Sequence, residues 1–239
     1  MLELQKQIKK INKLLINHFG IPKKNEKPPD PLEMIIATIL SQNTNDKNSY
    51  QAYKNLKNKF KSYEELADAK RASIEKEIKI AGLGKQKSEA IKNLLTDLKE
   101  KRKNLSLDFV IDMNNNEAVK ELSSYKGVGV KTASCVLLFS LERDVCPVDT
   151  HVHRTLNRIG LVKTSSPDKT FFQINTKFPK GIAHSFHTNL IRLGREICKP
   201  KNPSCVNCPL LKMCSYEEKN MNKPKDQKSN NFMLLDNIG

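Results

Sequence analysis

The sequence predicts an all-α fold with short connections. Apolar residues recur at helical spacing along most of the 239 residues, no convincing alternating strand is present, and helix-start signals follow closely on helix ends. Leu4, Ile8, Ile11 and Leu15 put an apolar stripe on a first amphipathic helix. The stretch IPKKNEKPPD that follows is broken by prolines and reads as a linker. Asp30-Pro31 then supplies an N-cap and a proline at the first helical position, opening the helix PLEMIIATILSQ. Ser62-Tyr63-Glu64-Glu65 has capping-box spacing and starts a short helix. Helical patterns continue through IEKEIKI, KQKSEAIKNLLTDLKE, NNNEAVKELSS, KTASCVLLFSL, THVHRTLNRI, SPDKTFFQINTKF and AHSFHTNLIRLGREI. Two turns between these patterns resemble each other: Gly82-Leu83-Gly84-Lys85 and Gly127-Val128-Gly129-Val130-Lys131. From residue 217 onward the chain is polar and charged, and disorder is expected there. The terminal FMLLDNIG is either a docking peptide or without a role.

Hydrophobic residues at 38% suffice for globular packing, as one large domain or as two lobes. No apolar run approaches the roughly 20 residues that span a bilayer. The segment MLELQKQIKKINKLL lacks a compact apolar stretch before a small-residue cleavage site, so no signal peptide is read. An intracellular, cytoplasmic protein without membrane attachment is expected. Lys and Arg number 42 against 26 Asp and Glu, a formal charge of +16. Such a surface attracts polyanions. An AT-rich coding bias toward Lys, Asn and Ile supplies lysine but does not by itself produce a net charge, so a nucleic-acid partner is expected.

Of six cysteines, Cys198, Cys205, Cys208 and Cys214 crowd one segment, whereas Cys135 and Cys146 stand apart in apolar surroundings and read as core. Four clustered cysteines in an intracellular chain indicate a metal site rather than a disulfide framework. The C-x6-C-x2-C-x5-C spacing leaves zinc and an iron–sulfur cluster both open. Zinc ribbons, however, usually carry two C-x2-C pairs, and only Cys205 and Cys208 form one here.

The second glycine turn has two readings. Gly127 and Gly129 permit backbone angles closed to other residues and a close approach to another backbone. Amides at the start of the next helix, with the Thr132 hydroxyl, would then grip a DNA phosphate without reading bases. Alternatively it is a plain turn between two helices. Lys131 follows at once, and Asp149 opens a later helix that runs to Ile159. An arbitrary aspartate in that place is an N-cap. A shared chemical role needs Lys131 and Asp149 to converge, which spacing permits but does not show.

LSSYKGVGVKTASCVLLF followed by CPVDTHVHRTLNRIGLV resembles the helix-hairpin-helix and catalytic-aspartate motifs of the endonuclease III family of DNA glycosylases. The family pattern is close to L-P-G-V-G-x-K-T-A, then V-D-T-H-V-x-R. ATILSQNTND, HTNLIRLGREIC and the cysteine spacing extend the resemblance over residues 30–215. It implies a two-lobed helix-hairpin-helix DNA glycosylase fold with an iron–sulfur cluster loop and a cleft between lobes. Residues 30–143 would form a helical barrel domain, residues 1–29 with 144–216 the cluster domain, and 217–239 a disordered tail. Lys131 would be the nucleophile on the sugar C1′, forming a Schiff base, with β-elimination to follow. Asp149 would help to deprotonate it and stabilise positive charge on the sugar. Family members without this lysine remove bases without the lyase step.

The resemblance further implies a [4Fe–4S] cluster on Cys198, Cys205, Cys208 and Cys214, with a structural role. Leu83 matches the family's apolar wedge. For the polar wedge, Asn43 takes the family's glutamine position and Gln42 lies one residue off; both also read as helix caps. Lys126, Gly127, Gly129 and Thr132 would contact DNA at the hairpin, and Lys199 and Lys201 in the basic loop before Cys205. His151 would reach the minor groove or a phosphate, and it lies on a different helix face from His153, which makes shared metal ligation unexpected. Tyr125-Lys126 replaces the usual Leu-Pro before the turn. The expected partner is double-stranded DNA with damaged bases or abasic sites, bound by a nucleoid-associated monomer. Oxidised pyrimidines are the expected substrates, with alkylated or mismatched bases, or non-catalytic DNA binding, as the alternatives.

Overall fold

In the computed structural model, which describes residues 2–222 and 233–238, the first amphipathic stripe forms α1 (Leu2–Phe19) with Ile8, Ile11 and Leu15 fully buried. After the linker, Asp30 Oδ1 accepts from the amides of Leu32 and Glu33 at 2.9 and 3.0 Å and so caps α2 (Pro31–Leu40). There follow α3 (Asp46–Lys59), α4 (Tyr63–Asp68), α5 (Arg71–Ile78), α6 (Gly84–Asp97), α7 (Asn115–Ser123) and α8 (Val130–Cys135). The last three are α9 (Thr150–Ile159), α10 (Pro167–Asn175) and α11 (Ala183–Glu196). No strand occurs among the described residues, and none of the helices is long and apolar enough to cross a membrane.

Most expected helices form, and caps explain why. Ser62 accepts from the Glu65 amide at 3.2 Å, and Asn114 with Glu117 completes a capping box on α7. α3 has no counterpart among the expected helices. Its buried stripe is Ser49, Ala52, Tyr53 and Leu56, and the first two are too small or polar to register as apolar periodicity. The run ASCVLLFS does not stay α-helical: α8 widens into a π-helical turn, Val136–Ser140.

The chain divides into two units, Met1–Lys23 with Arg143–Asn231 and Lys24–Glu142 with Phe232–Gly239. In the first, α1 packs on α11, α11 on α9, and α9 on α10. Arg192 closes α1 onto α11: its Nη1 donates to the Phe19 carbonyl at 2.9 Å and its guanidinium stands 4.5 Å above the Phe19 ring.

In the second unit α2 is the core. Leu32 and every residue from Met34 to Leu40 are buried, so the helix is covered on all sides, by α3, α6 and α8 among others. Part of the expected disordered tail returns here. Leu234 and Ile238 are each only 1% exposed, in a turn that packs on α2 and α3, and Asn25 Nδ2 donates to the Ile238 carbonyl at 2.7 Å. Two apolar side chains with cover available are enough to order a short segment. Residues 217–222 are also placed, with the Asn220 carbonyl accepting from the Cys205 amide at 3.1 Å. The disorder expected for residues 223–232 concerns positions outside the described residues.

Lys87 of α6 is 1% exposed, and its Nζ donates to the carbonyls of Leu40 and Ala81, both at 2.8 Å. Burial pushes its pKa down from 10.5 to about 8. Between those values the unfolded chain holds a proton that the folded chain has lost, so stability rises with pH across that window, by roughly 3 kcal/mol at full extent. Denaturation midpoints followed from pH 8 to 10.5 should show this rise, and Lys87→Met should remove it from the difference curve.

Candidate active site and metal centre

In the Lys24–Glu142 unit the hairpin turn between α7 and α8 presses on α6. Gly127 has φ +89°, and a Cβ built there would lie 2.4 Å from the Ala90 Cβ, so no side chain fits. Gly129 caps α8 without a side chain, and a Cβ there would meet nothing within 4 Å. No side chain caps the first turn of α8. Lys126 is exposed. Lys131 is half-buried in that first turn, and its ammonium has no hydrogen bond or ion pair among the described residues. Thr132, expected to add its hydroxyl to a phosphate grip, is 3% exposed and turned inward.

Gln42 explains the inward threonine. Its Nε2 donates to the Gly127 carbonyl at 3.2 Å and to Thr132 Oγ1 at 3.3 Å, tying the loop after α2 to the hairpin. Asn43, the next residue, is exposed and sits in the left-handed region at φ +50°. Leu83 is likewise left-handed at φ +51° and 48% exposed, following Gly82 at φ +70°. A large apolar side chain held in that conformation at a solvent-facing tip is costly, which suits a residue whose cover arrives with a ligand.

In the Arg143–Asn231 stretch Asp149 caps α9: its Oδ1 accepts from the Val152 amide at 2.8 Å, and the side chain is half-buried. His151 lies against Gly194 of α11, where a Cβ would come within 2.8 Å of the His151 Cβ. Burial chiefly, with Arg154 and Arg195 beside it, lowers the His151 pKa against the opposing pull of Asp149. At neutral pH it is thus a neutral hydrogen-bonding group rather than a cation. His153 faces α10 instead, its Nδ1 2.7 Å from Thr170 Oγ1.

Cys198, Cys205, Cys208 and Cys214 line one small cavity of about 20 Å³ with Arg158, Leu211 and Tyr216. No three His, Cys, Asp or Glu among the described residues are disposed to share a single ion. Four thiols lining one cavity are a donor set that a zinc ion or an iron–sulfur cluster takes. Burial and the neighbouring thiols push the Cys208 pKa up to about 11, against a hydrogen bond from the Leu210 backbone. A cationic centre would reverse that logic by stabilising thiolates. Cys135 and Cys146 are fully buried.

Two arginines one turn apart on α9, which the sequence reading passed over, fasten this loop. Arg154 Nε donates to the Cys198 carbonyl at 3.0 Å and its Nη2 to Gly194 O at 2.8 Å. Arg158 donates to the carbonyls of Lys199 and Pro200 at 2.7 and 3.0 Å, approaches Cys198 Sγ at 3.7 Å, and stacks 4.1 Å over the Tyr216 ring. The helix that Asp149 opens is thereby fixed to the cysteine loop. Lys199 is half-buried and already partnered, whereas Lys201 is exposed beside left-handed Asn202 at φ +49°. No residue pattern singles out the two arginines, because their acceptors are backbone carbonyls.

The family described as HhH-GPD superfamily base excision DNA repair protein matches residues 36–180. Endonuclease III of Thermotoga maritima is 36% identical over 193 residues, covering 81% of this chain and 86% of its own. Endonuclease III of Rickettsia felis is 32% identical over 223 residues, covering 89% and 96%. A solved structure of a trapped endonuclease III–DNA covalent intermediate, an estranged-adenine complex, superposes with a TM-score of 0.74 at 26% identity, covering 88% of this chain and 95% of that one. The chain belongs to the HhH-GPD superfamily of base excision DNA repair proteins and, within it, to the endonuclease III family of DNA glycosylases and AP lyases.

Proposed function

We propose that this protein removes oxidised pyrimidines, such as thymine glycol, from duplex DNA and then cleaves the strand, with Lys131 as nucleophile. The observation that carries the reading is the half-buried Lys131 amine, unpartnered among the described residues, in the first turn of α8 directly after the glycine turn. The trapped covalent DNA intermediate named for the structural relative supports the same chemistry.

The target nucleotide must leave the stack before an amine can reach C1′. Leu83 and Asn43, both exposed and left-handed, fill the gap, while Gln42 holds the loop between them and the hairpin. Neutral Lys131 Nζ attacks C1′; the glycosidic bond breaks and the base departs with its electron pair, to be protonated. The C1′–O4′ bond then opens to an iminium. Loss of a C2′ proton expels the 3′ phosphate, and water releases the lysine. Asp149 accepts the proton that Lys131 must lose and stabilises positive charge on the sugar. Amides at the start of α8, with Lys126 and Lys201, hold phosphates.

A [4Fe–4S] cluster on the four cysteines would hold the loop after α11 in place. The purified protein should be brown, with iron and acid-labile sulfide in equal amounts, and Cys208→Ser should bleach it and loosen residues 198–214 to protease. A colourless protein containing zinc would contradict this assignment. For the substrate, base release and strand cleavage are measured across duplexes carrying thymine glycol, an alkylated purine or mismatched thymine. Release with cleavage is expected on thymine glycol; release confined to either other lesion replaces the substrate assignment.

A further inference from the structure

Lys87 is a costly residue to bury. It is 1% exposed, and its two hydrogen-bond acceptors are neutral carbonyls, so no counter-charge offsets its desolvation. An apolar side chain of equal volume would serve packing better, which directs attention to what the two carbonyls belong to. Leu40 ends α2, directly before Ser41, Gln42 and Asn43. Ala81 ends the 3₁₀ turn Lys79–Ala81, directly before Gly82 and Leu83. One amine thus satisfies the terminal carbonyls of two helical segments at the points where each departs into an exposed left-handed tip. Ala90, three residues along the same helix, is the seat of Gly127. Helix α6 therefore registers all three loops from one face.

We propose that Lys87 is a positioning residue that sets the separation at which the Asn43 and Leu83 tips enter the duplex. This rests on the reading above, in which those tips replace a flipped nucleotide. Lys87 is not itself a nucleophile: it is sealed from solvent and both bonds point inward. Its lowered pKa leaves the tie intact, because a neutral amine still carries two N–H donors.

The test compares unsubstituted protein and Lys87→Met on two substrates: duplex DNA with thymine glycol, which demands insertion of both tips, and a single-stranded abasic oligonucleotide trapped with borohydride, which demands neither. On the duplex Lys87→Met is expected to lose roughly 10²-fold in base-release rate, as for a misplacement near 1 Å, with single-strand trapping kept within about twofold of unsubstituted protein, since the amine chemistry is untouched. Adding Lys87→Met to Leu83→Ala should cost far less than on its own, because the tip it places is already gone. Unchanged duplex activity in Lys87→Met, or equal losses on both substrates, overturns the proposal and leaves the lysine chemistry standing. Failure of the unsubstituted protein on both substrates defeats the underlying reading instead. Should Lys87→Met not fold, hydrogen exchange on unsubstituted protein decides. The amides of Ser41 and Gly82, bonded to Ala37 and Lys79 carbonyls at 3.0 Å, should open in one step with shared denaturant dependence. Independent opening of the two overturns the tie.

Discussion

Lys131→Ala should abolish covalent trapping on abasic DNA, a loss of at least about 10³-fold against unsubstituted protein, since no other group supplies the nucleophile. The loss cannot come from unfolding. Lys131 is half-buried in the first turn of α8, makes no described side-chain bond, and alanine is the better helix former. DNA affinity should fall only modestly, with the salt dependence of binding reduced by about one charge. Borohydride trapping and a salt titration by anisotropy check both halves. Retained trapping in Lys131→Ala would move the nucleophile elsewhere.

Asp149→Asn separates the two roles of one carboxylate. Asn is as good an N-cap as Asp, so the bond to the Val152 amide survives. An amide cannot accept the ammonium proton or balance charge on the sugar, so single-turnover base release should fall roughly 10²–10⁴-fold. Asp149→Ala should lose the same activity and about 1 kcal/mol of stability besides. Thermal melts beside single-turnover kinetics distinguish the cases. An active Asp149→Asn would contradict the catalytic role of the residue.

Helices with strongly apolar stripes, such as α1 and α2, were legible in the sequence because burial of large side chains is their cause. α3 was not, because Ser49 and Ala52 in its buried stripe are too small or polar to register as apolar periodicity. The π-helical widening after Cys135 also left no trace in the apolar run VLLFS. At the candidate site, motif spacing singled out Lys131, Asp149 and the four cysteines. It passed over Lys87, Arg154 and Arg158, whose work is to satisfy backbone carbonyls of distant segments. An acceptor that belongs to the backbone carries no side-chain identity, so no pattern of residues reveals the pair. Gln42 shows the same limit: its sequence position suggests a wedge, while its bonds to Gly127 and Thr132 make it a brace.

The chemistry stands or falls on which nitrogen bonds to deoxyribose. Abasic duplex trapped with borohydride, digested with trypsin and sequenced by mass spectrometry identifies that atom directly. A single adduct at position 131, with the tryptic cut there missing, is the expected result. An adduct on Lys126 or another amine, or none at all, would contradict it.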